Sequence, residues 1–343
     1  MKTVVGPFHP HLESALVEEV RARKSINPLS ALLILVPSDS LRRRLKTCFA
    51  GEKRMNLLNV HLLTFHQLYL RLYEEDRRKS RLLPADDFIL QEALGYWIKT
   101  GGSKTATLFS VAEKAGGCGT LWQTLRDLKD GGVKPASLVG ALEEGLFDGR
   151  DKERLVPLIA LYESFNESCA GSGLCDYTDF LDSVRQLISG SAFLNQFERL
   201  FYYGFYDLTQ VQIDLFYEIA CHYPTTVMFP LAHDHPGWIF AQRFYERYLQ
   251  GVASEEEYLC RPDNPSCCIP LFCEQGLSAT AQTVGHPSCA VISCSGPRDE
   301  ILTTAKEILR LNRDEELAFS EIGVVARTLE PYTDWIKEVF RDH

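Results

Sequence analysis

The sequence predicts an α/β chain: a parallel sheet covered by helices on both faces, interrupted by an all-helical block. Three observations carry this expectation. Short apolar runs alternate with helix-like segments. The strand signal vanishes between Phe65 and Arg199, where helical periodicity takes over. After an irregular stretch at 251–290 the alternation restarts.

Taken in order, "TVVGPF" is the first strand, a β-branched run from Thr3 to Val5 that meets Gly6. A loop of Pro and His follows. Leu12, Leu16 and Val20, four apart, then form one stripe of a helix. "ALLILVPS" and "NVHLLTF" read as further buried strands, each leading into a helix. The helical block holds "ADDFILQEALGYWIKT", "TLWQTLRDLKD", "ERLVPLIALYESFNESC" and "YTDFLDSVRQLI". Asp86 and Asp87 behind Pro84 mark a helix start. Strands resume at "RLFYYGF" and "TTVMFPLA".

Residues 251–290 carry Pro, Ser, Gly and five of the 11 cysteines with little periodicity, and read as an irregular connection. The rhythm returns with "AVISCSG", a helix from Asp299 to Leu311, "IGVVART" and a closing helix in "DWIKEVFRDH". The expected organisation is a discontinuous first domain of 1–75 plus 196–290, a helical insertion of 76–195, and the beginning of a further domain at 291–343. A domain that has just begun reads as part of a longer protein, against the alternative of a small C-terminal lobe completing the first sheet.

Hydrophobic residues make up 45% and charged residues 24%, an ordinary globular composition. No apolar run is long enough to span a membrane, and no secretory pattern opens the chain. The cysteines lack small-scaffold spacing and read as reduced thiols of a cytoplasmic protein. The net charge of −10 is uneven: residues 1–85 hold 15 Lys and Arg against 8 Asp and Glu. A polyanion would meet that N-terminal part, while the acidic remainder disfavours strong non-specific DNA binding.

Strand, glycine, loop and helix at 1–20 repeat the layout of a phosphate-binding loop. "LLILVPSDSLRRRLKTCF" resembles the motif Ia strand and helix of UvrD/Rep-type helicases, and "VHLLTFHQLYLRL" the Thr-Phe-His motif that follows. "CDYTDFLDSV" is similar to the segment ahead of the family's Walker B strand. "LFYYGFYDLTQVQIDLF" resembles the Walker B motif itself, and "FSEIGVVARTLEPYTDWIKEVF" an early strand and helix of a second RecA-like domain. In order and spacing the five look most like helicase-fold subunits of AddB/RecB-type helicase–nucleases. The resemblance implies a P-loop NTPase (RecA-like) sheet with a helical insertion, DNA as ligand, and a partner motor subunit. A PD-(D/E)xK nuclease would lie beyond residue 343.

The residues depart from the pattern where ATP chemistry would sit. Counting from Gly6, the Gly-Lys-Ser/Thr positions hold His11, Leu12 and Glu13. A leucine supplies no ammonium for phosphates, and a glutamate puts negative charge where phosphate would bind. Aligning Asp207 and Gln212 on the family's Asp and Gln sets Tyr203 and Gly204 at the Asp-Glu pair that would position Mg²⁺ and water. The Tyr-Arg-Ser motif is missing as well. The expectation is therefore a retained fold without ATP hydrolysis and without a cofactor, against the alternative of an ATP/Mg hydrolase with an unorthodox site. "TGGSKTATL" is a decoy, because Ile98 stands where its first glycine is required.

For DNA, the resemblance points to Thr64, Phe65 and His66: hydroxyl and imidazole for phosphate or sugar, ring for a base. A strand end with Phe65 in the core and His66 capping the next helix is the structural alternative. Arg42, Arg43 and Lys46 form a basic helix face suited to a phosphate backbone, or to solvent. "DRRKSR" at 76–81 is a second basic run. Cys260, Cys267, Cys268 and Cys273 fall within 14 residues but lack C-x2-C pairs, so thiols in a loop outweigh a metal-stabilised interaction module. Asp176 and Asp179 match a family segment whose role is structural.

Overall fold

The computed structural model describes residues 1–55, 57–75, 83–100, 114, 116–231, 238–259 and 292–342. They fall into two compact units, within Met1–Gly276 and Leu277–His343. "DRRKSR", "TGGSKTATL" after Thr100, and Cys260, Cys267, Cys268 and Cys273 lie outside the described residues.

In the first unit the strands are β1 (Lys2–Gly6), β2 (Leu32–Val36), β3 (Val60–Thr64), the two-residue β4 (Leu83–Pro84) and β5 (Leu174–Cys175), then β6 (Arg199–Tyr203), β7 (Thr225–Pro230) and β8 (Glu255–Tyr258). Six of them form one sheet in the order β3-β2-β6-β7-β1-β8, parallel throughout. All five residues of β2 are buried, as a central parallel strand requires. Alternation assigns the faces. Leu33, Leu35, Leu200 and Tyr202 point into one core, and Leu32, Ile34, Val36, Phe201 and Tyr203 into the other.

The second of these cores is closed by α1 (Glu13–Ile26) and α2 (Asp39–Lys46). Leu12, Leu16 and Val20, the stripe expected from spacing, are each fully buried there. The other core is covered by α3 (Phe65–Glu75) and later helices.

The chain leaves the sheet through β4 and returns through β5, which pair with each other. Between them lie α4 (Asp87–Thr100), α5 (Gly117–Asp130), α6 (Pro135–Glu143) and α7 (Gly149–Ser172). These pack a core of their own around Leu94, Trp122, Leu125, Tyr162 and Phe165. Helix α8 (Tyr177–Arg185) and the short α9 (Ala192–Asn195) instead give Phe180, Leu181, Val184 and Leu194 to the sheet core. They share it with α10 (Gln210–His222) and α11 (Ile239–Tyr248).

A charged cluster ties α5 to α8. Lys129 Nζ, 4% exposed, lies 2.5 Å from Asp176 Oδ2 and 2.6 Å from Asp179 Oδ2. Asp176 also caps α8, accepting the Asp179 N–H at 2.8 Å. Thr178 Oγ1 donates to Asp130 Oδ1 at 2.8 Å beside them. The structural role expected of Asp176 and Asp179 is thus carried by a cap and an ion pair.

The second unit contains α12 (Pro297–Asp314) and α13 (Thr333–Asp342), packed through Ile301, Ala305 and Val339. Two strands expected from the sequence need correction here. The apolar runs "AVISCSG" and "IGVVART" form no ladder among the described residues: 292–294 and 322–326 are unpaired, and Val325 is 96% exposed. An apolar run becomes a parallel strand only where neighbours take its backbone hydrogen bonds. The stretch 251–290 also departs from the irregular connection expected of it: four of its residues, "EEEY", form β8 at the sheet edge beside β1.

Candidate functional site

All six strands of the sheet are parallel, so their C-terminal ends share one edge, where ligands of open α/β sheets bind. Gly6, Thr64 and Tyr203 end β1, β3 and β6 there, and Arg42, Arg43 and Lys46 lie on α2, which follows β2.

At the end of β1 the chain makes a π-type turn over Phe8–Leu12 and enters α1 at Glu13. The Leu12 N–H donates to the Pro7 carbonyl at 3.1 Å. Leu12 is fully buried in the core below the turn. The Phe8 ring lies 5.3 Å from the Tyr203 ring, at the end of β6. Gly204 follows with φ +81°, and a Cβ there would meet Phe8 at 2.8 Å and Leu41 at 2.9 Å. Only glycine suits both that backbone and that contact. The ring of Phe8 and the side chain of Leu41 therefore occupy the space between the first loop and the end of β6.

Glu13 is 9% exposed and has its own partners. Arg44 Nη2 lies 3.1 Å from its Oε1, and His9 Nδ1 lies 3.6 Å from the same oxygen. Arg44 also pairs with Glu52. The Cys48 thiol, fully buried beside both acids, is pushed up by burial first and then by Glu13 and Glu52. Tyr203 is raised by burial first, then by Glu13.

Asp207 is exposed. Gln212 is occupied in a capping box: its Oε1 accepts the Thr209 N–H at 3.1 Å, and Thr209 Oγ1 accepts the Gln212 N–H at 3.4 Å. Thr64 and Gln67 repeat the same device at the start of α3, at 3.3 and 3.1 Å. Phe65 is 6% exposed and packs on Phe205 at 4.7 Å and Tyr69 at 5.4 Å. The ring offered to a base by the sequence reading is thus a core side chain. His66 is exposed, with its ring 6.0 Å from that of Tyr177.

On α2, Arg42 Nη2 lies 2.5 Å from Asp39 Oδ1 and Arg43 Nε 2.9 Å from Asp39 Oδ2. Arg42, and then Arg43, hold the Asp39 carboxyl below its usual range. Arg43 and Lys46 point to solvent.

Two residues not singled out in the sequence complete the edge. Tyr206 and Phe240 are 42% and 49% exposed, with rings edge to face at 5.6 Å. They follow β6 and β7, adjacent strands of the sheet. Tyr206 lies inside the motif-like run, but only the tertiary pairing with Phe240 marks it.

No family model matches the chain. Its whole length is similar to the B-type subunit of the ATP-dependent helicase/deoxyribonuclease of Desulforamulus reducens, at 23% identity over 380 residues. The protein of the same description from Moorella thermoacetica is 24% identical over 383 residues, again across the whole chain. A shorter stretch of 66 residues, 19% of the chain, is 46% identical to the Symbiobacterium thermophilum protein of that description. The chain spans 31% and 32% of the lengths of the first two relatives. The AddB-type resemblance read from the motifs is thereby borne out.

Proposed function

We propose that this chain, similar throughout its length to AddB-type subunits, is the helicase-fold part of a DNA-repair helicase–nuclease that binds or guides DNA without hydrolysing ATP. The sheet is read as a RecA-like domain formed by 1–75 and 196–290, with 76–195 inserted and 291–343 opening a second such domain. The relatives' description as a subunit supports docking to a motor partner.

The observation that carries the inactive reading is the Phe8 ring on Tyr203 and Gly204. In the alternative reading Mg²⁺ and phosphate oxygens need that space, with a lysine and a hydroxyl nearby. Leu12 is instead core, and the Glu13 carboxylate answers to Arg44. These residues do not fit a magnesium nucleotide. They fit a turn that folds the sheet and keeps its edge for another ligand.

For DNA, Thr64, His66, Arg42, Arg43 and Lys46 supply polar and cationic contacts, and Tyr206 with Phe240 a stacking surface. No described helix is long and apolar enough to cross a membrane.

The test is ATP turnover by the purified chain with and without single-stranded DNA, alongside DNA binding by fluorescence anisotropy. Binding without turnover is the expected result. Turnover abolished by Glu13→Ala or Asp207→Ala overturns the proposal.

A further inference from the structure

The end of α5 and the turn after it, residues 129–132, join the helical insertion to helices that pack on the sheet. Lys129 pairs with Asp176 and Asp179 at the start of α8. Asp130 accepts a hydrogen bond from Thr178 on the same helix. Gly132 meets α10: its φ of +69° suits glycine, and a Cβ on it would lie 2.9 Å from Gln210 Cγ. The turn carrying Gly132 is itself fixed. The Gly132 N–H donates to the Lys129 carbonyl at 2.8 Å and the Val133 N–H to the Leu128 carbonyl at 2.8 Å. The Tyr162 hydroxyl donates to the Val133 carbonyl at 3.0 Å.

Gln210 is held by further contacts. Its Nε2 donates to Asp214 Oδ1 at 2.8 Å, and Asp214 Oδ2 lies 3.7 Å from Arg185 Nη1 of α8. Gln210 opens α10 directly after Thr209, whose cap closes the loop 204–209. At the other end of that loop the Gly204 N–H donates to the Met228 carbonyl at 3.2 Å, and Phe8 and Leu41 crowd its Cα. Tyr206 stands exposed between these two anchors.

We propose that 129–132 is a brace by which the helical insertion sets the position of the loop 204–209, with Gly132 as a positioning residue for Tyr206. The inference rests on the DNA-binding reading of the sheet edge. A six-residue loop fixed at both ends has little freedom, so displacing one anchor moves what lies between. The Gly204 anchor belongs to the sheet, and the Gln210 anchor touches the insertion. Displacement of the insertion therefore reaches Tyr206, and DNA held at Tyr206 resists that displacement in equal measure.

The experiment uses the whole chain. Gly132→Ala and Gln210→Ala, singly and combined, are compared by amide hydrogen exchange and by anisotropy with an oligothymidylate. Gln210→Ala removes the contact without straining the backbone, so the test stands even where Gly132→Ala does not fold. Each single variant should speed exchange at 205–209 and weaken binding by about threefold or more, and the combination should cost no more than the larger single effect. In a Tyr206→Ala background neither change should alter affinity, whereas general destabilisation would act there too. Unchanged exchange and affinity in both single variants overturn the brace, as does a loss of affinity that persists without Tyr206. A natural chain that binds no oligothymidylate overturns the DNA reading and the role of Tyr206 together, and exchange at 205–209 alone then decides the brace.

Discussion

The Phe8 ring leans on the Tyr203 ring at 5.3 Å, and its edge fills the space that any side chain at residue 204 would need. A double-mutant cycle tests this contact. Gly204→Ala puts a Cβ 2.8 Å from Phe8 on a backbone at φ +81°. The left-handed backbone costs about 1–2 kcal/mol and the overpacking about 1–3 kcal/mol. Phe8→Ala costs about 2–3 kcal/mol, below the range for a fully buried ring because Phe8 is only partly buried. Combining the two removes the Phe8 part of the clash and leaves the Leu41 part, so the double variant should be more stable than the sum by about 1 kcal/mol. Urea unfolding of the four proteins reads the coupling, and strict additivity would show that the contact is not made.

Lys129 gives a second prediction. One buried ammonium serves two carboxylates, so Lys129→Met leaves Asp176 and Asp179 facing each other without a cation. A loss of about 3–5 kcal/mol is expected, as for breaking any buried pair. Adding Asp176→Asn and Asp179→Asn should recover much of it, because a neutral set no longer needs the lysine. Thermal and chemical unfolding of the single and triple variants decide this.

Asp179 adds a pH dependence. Burial, then the Asp176 charge, hold its carboxyl above the usual 3.8. The folded state therefore keeps that proton where the unfolded chain has lost it. This contribution is complete below the unfolded value and is lost as pH rises through the folded one. Asp179→Asn mimics the protonated form at every pH. Its stability advantage over the natural protein should grow as pH rises above the unfolded value of about 4. A urea-midpoint difference that is flat above that value would refute the assignment.

These contacts mark where sequence reading ends. β1, β2, β6 and β7 were readable because strands buried on both faces are continuous apolar runs, as "LLILV" is, and the edge strand β3 because its run Val60–Thr64 is apolar but for His61 and Thr64. Strand β8 was not, since an edge strand needs no apolar face and three glutamates guard it, with Lys2 pairing to Glu255 and Glu257. The two-residue β4 and β5 are too short for any period. In the candidate site, the loop from Gly6 to Glu13 was locatable from its strand, glycine and helix pattern. That Phe8 reaches Gly204, and Arg44 reaches Glu13, depends on strand order and not on spacing. Phe65 shows the reverse: the motif suggested a ligand contact, and burial against Phe205 decides for the core.

DNA binding separates the two kinds of contact at the sheet edge. Replacing Arg42, Arg43 and Lys46 by Ala should reduce affinity for all sequences and flatten the salt dependence by up to about three phosphate contacts. Tyr206→Ala with Phe240→Ala should instead weaken binding at every salt concentration, by about 1–3 kcal/mol per stacked base, and leave the slope unchanged. Anisotropy titrations across a salt series distinguish the outcomes. Variants that alter neither affinity nor slope would remove this edge from the DNA path.

Restoring phosphate-loop residues is the remaining test, and it should fail. Leu12→Lys with Glu13→Thr supplies the ammonium and hydroxyl that a nucleotide needs. Leu12 is fully buried, so the lysine must desolvate or unpack the turn, and either route destabilises the protein. Glu13→Thr strips Arg44 of its 3.1 Å partner and leaves it with Glu52. The Phe8 ring still stands between the loop and Gly204, where metal and phosphate would go. Equilibrium dialysis with ATP and Mg²⁺ should therefore detect no saturable binding in this double variant. Adding Phe8→Gly is the change that opens the space. Binding that appears with Leu12→Lys and Glu13→Thr alone would mean that the ring is not what closes the site.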